Sequence, residues 1–232
     1  MNYDVQPFEL DSGIVLSNIR NLDGGGSTHY KDFLNVVNQS SKAPYNKALE
    51  WCAGPGFIGY SMLGHNLCKH VVFMDKHKPA IDSCIATAEQ NGISSNKVTT
   101  YVVDSISSIP DSEKFDLVLG NPPHVWDSDQ FIKGLRLEWE ERGDILRQEN
   151  IDVIERLLLD HGQQIHIEFF NNISKYLLPG ADLFISEPGG FSEMPEIVNY
   201  ARANGLIYVG EFPMPTMQRA CPTAVIYHFK KN

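Results

Sequence analysis

The sequence predicts an α/β fold, a doubly wound sheet of five parallel strands closed by a C-terminal antiparallel hairpin. Three observations predict it. From Ala48 to Pro188 short β-branched runs alternate with helical stretches, the order of a parallel sheet covered by helices on both faces. A glycine-rich turn, Gly54 to Gly59, follows the first of these strands. After Glu187 the order changes to one helix and two strands with a turn-rich stretch between them.

The predicted core strands are Ala48–Ala53, His70–Asp75, Val98–Asp104, Phe115–Asn121 and Ala181–Glu187. Helices are expected between them at Phe57–Leu67, Lys78–Gln90 and Gln163–Leu178. Gly92 and Gly180, each just past a helical stretch, are placed to serve as left-handed caps. A last helix, Glu193–Asn204, leads to strands Leu206–Phe212 and Ala224–Lys230. With only the loop Pro213–Pro222 between them, these two strands pair as an antiparallel hairpin on the sheet edge. Right-handed crossovers lay down the rest. The 232 residues fit a single domain with two additions, an N-terminal extension over 1–47 and a lid-like insertion over 124–160.

Apolar content of 42% and charged content of 21% suit an ordinary soluble globule. The first twelve residues carry Asp4, Glu9 and Asp11 and no basic residue, the opposite of a secretory signal. No apolar run approaches the roughly 20 residues that span a bilayer, so a cytoplasmic protein with no membrane partner is expected. Cys52, Cys68, Cys84 and Cys221 form no CxxC pair and read as reduced thiols. Nineteen basic against 29 acidic residues give a net charge of −10, without the basic stripe that neutralises phosphates. The densest basic stretch, Lys133 to Arg147, is diluted by Glu138, Glu140, Glu141 and Asp144. Its Glu138–Arg142 pair, four residues apart, reads as a solvated helix face.

The first core strand runs into Glu50-Trp51-Cys52-Ala53-Gly54-Pro55-Gly56-Phe57-Ile58-Gly59. Gly54 and Gly56 let the backbone turn sharply and let a ligand approach where a Cβ would stand. Asp75 closes the second core strand, where a carboxylate accepts hydrogen bonds from ribose hydroxyls. The Gly54-x-Gly56-x-x-Gly59 spacing also fits a dinucleotide fingerprint. Two features favour a ligand with a positive centre and no phosphates. Glu50, just before the turn, would repel a pyrophosphate, and Asp104, followed by Ser105, ends the third strand where it can meet an adenine amine.

The fourth core strand ends in Asn121-Pro122-Pro123-His124. Two prolines fix φ and remove two donors, making a rigid turn. The Asn121 side-chain oxygen and the Pro122 carbonyl can then face one point. An NH2 group placed there donates a hydrogen to each and aims its lone pair at a methyl donor. That is catalysis by orientation, which needs no metal.

In this order of motifs the chain resembles the class I S-adenosylmethionine-dependent methyltransferases, and within them the branch that methylates amino nitrogens of adenine or of glutamine side chains. The resemblance covers about Ala48 to Lys230. It implies a Rossmann-like, seven-stranded sheet and S-adenosylmethionine as cofactor. It implies Gly54 and Gly56 beneath the cofactor's amino-acid part with Glu50 and Ala53 close by, Asp75 on the ribose, Asp104 with Ser105 at the adenine, and Asn121 with Pro122 at the target amine. Asn121 then stands between cofactor and acceptor, with His124 beside it as the third catalytic residue. That branch carries Tyr or Phe where this chain has His124, a smaller ring that can stack, hydrogen-bond or titrate. The extension is too short for the helical substrate domain of release-factor methyltransferases.

The acceptor expected from the charge is a protein side chain or a small molecule. The alternatives are an adenine-amine acceptor in DNA or RNA, with basic surface supplied by a partner subunit, and a cofactor-binding partner subunit without catalysis of its own. Two readings fit the segment 124–160, with Trp126, Phe131 and Trp139: a lid over the transfer point, or a helix hairpin packed on the surface. The run Gly24-Gly25-Gly26-Ser27-Thr28-His29-Tyr30 fits a loop that crosses the cofactor mouth or a plain loop. His65, His70, His77, His161, His166 and His228 form no ligand spacing, and no metal is expected.

Overall fold

A computed structural model describes residues 5–19, 26–124, 132–133, 136, 151–152, 159–160, 163–187, 194–217 and 222–232. Trp126, Phe131, Trp139, His161 and Cys221, glycines 24 and 25, and most of the stretch Lys133–Arg147 lie outside the described residues.

In chain order the elements are β1 Val5–Glu9, β2 Val15–Ile19, α1 Gly26–Asn38, β3 Tyr45–Trp51, α2 Phe57–Gly64, β4 Cys68–Asp75, α3 Lys78–Gln90, β5 Val98–Val102 and β6 Phe115–Gly120. They continue as α4 Gln164–Ile173, β7 Leu177–Glu187, α5 Met194–Ala203, β8 Leu206–Pro213 and β9 Val225–Lys231. The main sheet has the order β5-β4-β3-β6-β7-β9-β8. Its first five members are parallel, and β9 runs antiparallel to both β7 and β8. This is the expected α/β architecture.

The central strands β3, β4, β6 and β7 are largely buried on both faces, and the period of two along each one sorts its side chains into two layers. Ala48, Val71, Phe73, Leu117, Leu119 and Phe184 face a cluster that includes residues of α1 and α2. Leu49, Trp51, Val72, Met74, Val118, Leu183 and Ile185 face the other cluster, filled by Phe169, Phe170 and Ile173 of α4. The reversal of strand order falls between β3 and β6. In sheets of this kind ligands bind there, beyond the carboxyl ends of the strands.

Helix α3 has the boundaries predicted for it. Proline stands in its first turn, Lys78 and Asp82 pair four residues apart, and Gly92 with φ +62 follows the cap residue Asn91. Gly180 is also left-handed, at φ +75, but it lies in β7 and not past a helix. The β6–β7 register shifts between Phe115/Leu177 and Leu117/Asp182, so the glycine serves a bulge there.

The N-terminal extension departs furthest from expectation. Residues 5–19 form a separate two-stranded antiparallel sheet, β1-β2. The run from Gly26 to Tyr30, expected as a loop, opens helix α1. Tyr30, Phe33, Val36 and Val37 line its buried face at helical spacing. Gly26 is the contact point, since a Cβ there would stand 2.9 Å from the Phe57 ring at the start of α2. Helix α1 is thereby seated beside the glycine turn.

At the opposite end of the sheet Asp182, 1% exposed, accepts from Tyr45 Oη at 2.9 Å and pairs with Lys42 at 2.8 Å and His228 at 2.7 Å. Burial raises this carboxyl, but His228, Lys42 and Tyr45 outweigh it and hold it down at about 2. A depressed carboxylate stabilises the fold above its unfolded value and loses that contribution as pH falls through its folded one. Asp182→Asn keeps the Tyr45 contact and loses the charge. It should cost about 2 kcal/mol at neutral pH, with the deficit shrinking from about pH 4 toward pH 2. Urea denaturation of both proteins across that range checks it, and a deficit independent of pH would refute the charge argument.

Candidate active site

The glycine turn is built from three left-handed residues in five. Cys52 has φ +55, Gly54 +51 and Gly56 +84. The two glycines adopt this conformation freely, whereas at Cys52 the Cβ makes it costly. The turn is fastened to the end of the neighbouring strand β4. Ala53 N donates to Met74 O at 3.0 Å, and Gly54 N donates to Asp75 Oδ2 at 2.8 Å. Asp75 Oδ1 accepts from His77 N at 2.8 Å. Each Asp75 oxygen keeps a lone pair for a further donor such as a ribose hydroxyl.

Glu50 has a different place from the one expected beside a cationic ligand. It is 2% exposed, and both oxygens are engaged by amides in the first turn of α2: Ile58 N at 3.2 Å and Gly59 N at 2.7 Å. Burial pushes its carboxyl up to about 8, against the pull of those two amides. The carboxylate caps the helix whose own cap residue, Gly56, makes no side-chain cap bond. A phosphate at a helix N-terminus needs such amides. Here two are already committed, so the dinucleotide reading of the turn loses its anchor.

Asp104 stands in the open past β5, its side chain 82% exposed and 4.0 Å from Lys76 Nζ. Ser105 is committed locally. Its hydroxyl oxygen accepts from Ser107 N at 3.1 Å, closing a short helical turn, and contacts the Glu168 carboxylate of α4.

At the carboxyl end of β6, Gly120 is paired with Trp51 on β3 and with Ile185 on β7. A side chain at 120 would meet Trp51 at 2.9 Å and Ile185 at 3.0 Å. This pairing sets Asn121 beside Cys52, at the entry to the glycine turn. Ser186 Oγ donates to Asn121 Oδ1 at 2.7 Å and has Gly120 O as a second acceptor at 3.3 Å. Pro122 and Pro123 are buried. His124 folds back so that Nε2 is 3.5 Å from Asn121 Oδ1.

Behind this turn lies a group of residues that the sequence does not announce. His166 on α4 is 2% exposed, with Nδ1 2.6 Å from Asp160 Oδ2 and Nε2 2.9 Å from Glu187 Oε1. His124 Nδ1 is 3.3 Å from Glu187 Oε2. Burial works against the charged forms, yet Glu187 and Asp160 raise His166, while His166 and then His124 lower Glu187. Trp51 closes the group, edge-on to His166 at 5.6 Å and stacked on Phe169 at 3.8 Å. His124 and His166 thus converge on one carboxylate. Positions 124, 166 and 187 have no telling spacing. Only the adjacency of β6 and β7, with α4 above them, brings them together.

The family model that matches this chain is the methyltransferase small domain, over residues 32–134. No curated protein matches the chain. Among solved structures, the chain is similar to a 16S rRNA methyltransferase of Thermus thermophilus in complex with AdoMet and guanosine, with TM-score 0.62, 12% identity, and coverage of 100% of this chain and 51% of that one. It is similar to TYW2 of Pyrococcus horikoshii in complex with MeSAdo, with TM-score 0.61, 11% identity, and coverage of 99% and 72%. A ribosomal-protein methylase of Lactobacillus delbrueckii subsp. bulgaricus gives TM-score 0.56 and 14% identity, covering 90% and 81%. These likenesses establish the fold as that of class I methyltransferases. Among the described residues no helix is long and apolar enough to cross a membrane.

Proposed function

We propose that this protein transfers a methyl group from S-adenosylmethionine to an amino or amide nitrogen, with Asn121 and the Pro122 carbonyl as the groups that orient the acceptor. The cofactor rests on the family match, which spans the glycine turn, Asp75, Asp104 and the Asn-Pro-Pro-His turn, and on a fold that two neighbours share in complexes with AdoMet or MeSAdo. The choice of nitrogen rests on one observation. The pairing of Trp51 with Gly120 sets Asn121 beside the glycine turn, which supports reading its side-chain oxygen as the group between cofactor and acceptor.

The geometry supports a role for each residue. The turn through Cys52, Gly54 and Gly56 gives the cofactor a surface with few side chains, Asp75 offers its remaining lone pairs to the ribose, and exposed Asp104 is open to an adenine amine. Asn121 Oδ1 takes one hydrogen of the acceptor NH2 and the Pro122 carbonyl the other. An amine held by both hydrogens directs its lone pair along a fixed line, which lowers the barrier by positioning. Ser186 fixes the Asn121 oxygen and His124 borders it.

The net charge of −10 favours a protein side chain or a small amine-bearing molecule as acceptor. Calorimetry with S-adenosylhomocysteine and with NAD tests the cofactor. Asp75→Ala should weaken S-adenosylhomocysteine by about 1.5–3 kcal/mol, the scale for lost hydrogen bonds to a charged group. An unchanged dissociation constant would remove Asp75 from the ribose. Labelled methyl transfer into a cell extract, separated into protein, small-molecule and nucleic-acid fractions, tests the acceptor. Label confined to nucleic acid, together with sub-micromolar binding of single strands at physiological salt, would replace the favoured acceptor by an adenine amine.

A further inference from the structure

We propose that His124, His166 and Glu187 form a binding site for one divalent transition-metal ion, zinc being the ion their donors fit, with Asp160 as the supporting carboxylate. Metal binding by these residues is independent of the methyl-transfer reading, and only the side assigned to the open position rests on it.

The donors come from three elements: the turn after β6, the first turn of α4 and the end of β7. Their ligating atoms all lie within 4.8 Å of one another. The two closest pairs, His166 Nε2 to Glu187 Oε1 and His124 Nδ1 to Glu187 Oε2, are 2.9 and 3.3 Å apart. Ligands held about 2.0–2.1 Å from a tetrahedral zinc ion stand about 3.3 Å from each other.

A second observation points to a ligand. His124 Nδ1 and Glu187 Oε2 are both buried and, among the described residues, neither makes a hydrogen bond, although they face each other at 3.3 Å. Glu187 is fully buried. A carboxylate oxygen in that state is costly unless a cation meets it. An ion between the two atoms would satisfy both.

Asp160 completes the pattern. One of its oxygens lies 2.6 Å from His166 Nδ1, and the carboxylate also accepts from Ile165 N at 2.8 Å and His166 N at 3.3 Å. A carboxylate so placed keeps the proton on Nδ1 and turns the Nε2 lone pair toward Glu187, as the outer partner of a metal-bound histidine does. Two imidazoles and one carboxylate suit zinc or ferrous iron better than magnesium or calcium, which prefer oxygen throughout. Three protein ligands leave a position open. His124 is the most exposed of the three side chains, at 13% against 2% and 0%, and its other nitrogen borders Asn121. The open position therefore falls on the acceptor side, where water or an acceptor oxygen would be the fourth ligand. The chemistry that competes for the cluster is protons alone, an imidazolium held between two carboxylates.

The test uses the full chain, stripped with a chelator and titrated with zinc by calorimetry, with bound metal counted by elemental mass spectrometry. The expected result is one zinc per chain. His124→Ala and Glu187→Gln should each lower the affinity by about 100-fold or more, and Asp160→Asn by about 10- to 100-fold. Because Glu187 and Asp160 are buried, the decisive variant is His124→Ala, checked for native circular dichroism. Cobalt substitution gives an independent reading, since visible bands of a tetrahedral centre should appear in the native protein and vanish in that variant. Failure to bind zinc at one per chain, or the same stoichiometry and affinity in folded His124→Ala, would overturn the site and leave protons as its occupant. Either outcome leaves S-adenosylhomocysteine binding, and with it the methyl-transfer reading, to its own test.

Discussion

Asn121→Ala is expected to lower turnover by about 10²–10³-fold, the scale for removing one preorganised polar group from a transition state. The dissociation constant for S-adenosylhomocysteine should stay within about twofold. The fold tolerates the change because Ser186, which donates to the Asn121 oxygen, has the Gly120 carbonyl as an alternative acceptor. The lost group is then the acceptor's partner and not a structural one. Single-turnover kinetics with saturating cofactor, beside calorimetry on the same variant, separates the two effects. Near-normal turnover would remove the orienting role of Asn121 and with it the central claim about nitrogen.

The largest effect on stability is expected at Gly59. A Cβ at this position would stand 2.6 Å from the Phe73 ring and 2.7 Å from both Val71 Cγ2 and Glu50 Oε2. All three neighbours are buried at 2% exposure or less, so none can swing into solvent. The alanine must also push away the carboxylate that accepts the hydrogen bond of its own amide. Gly59→Ala should therefore cost about 3 kcal/mol or more, the upper range for an overpacked core. Gly54→Ala is a useful contrast. No atom lies within 4 Å of its Cβ, and only the positive φ opposes it, at about 1–2 kcal/mol. Urea midpoints of the two variants measure the difference, and equal losses would contradict it. The first glycine of the motif is needed for its backbone and the last for its missing side chain.

The sequence reveals these features unevenly. Helix α3 is legible to the residue because proline, an i,i+4 pair and a closing glycine all mark it. The strand starts are less so: β3 begins at Tyr45, three residues before the apolar run, since the Tyr45 hydroxyl is tied to Asp182 across the sheet. Helix α1 is masked by a glycine run at its start, although its apolar spacing is helical. Within the site, the glycine turn, Asp75 and Asn121 can be read because they sit at the ends of recognisable strands. The inward turn of Glu50 cannot, since a carboxylate before a glycine turn serves a ligand and a helix end equally well. His166 and Glu187 are visible only once β6 and β7 are known to be neighbours, and Asp160 only once α4 is placed.

The small N-terminal sheet has a further consequence. Strand β2 pairs with β1 on one side, and on the other its backbone is taken up by side chains of α3. Val15 N donates to Asn91 Oδ1 at 2.9 Å, Ser17 N donates to Thr87 Oγ1 at 2.8 Å, and Val15 O accepts from Asn91 Nδ2 at 2.7 Å. The helix thus acts as a substitute neighbour, supplying the donors and acceptors that another strand would bring. An exposed strand edge is a template on which a second chain can add and begin to aggregate. Here that template is closed by the polar side chains of Thr87, Gln90 and Asn91, and an incoming strand would have to break those bonds before it could form its own.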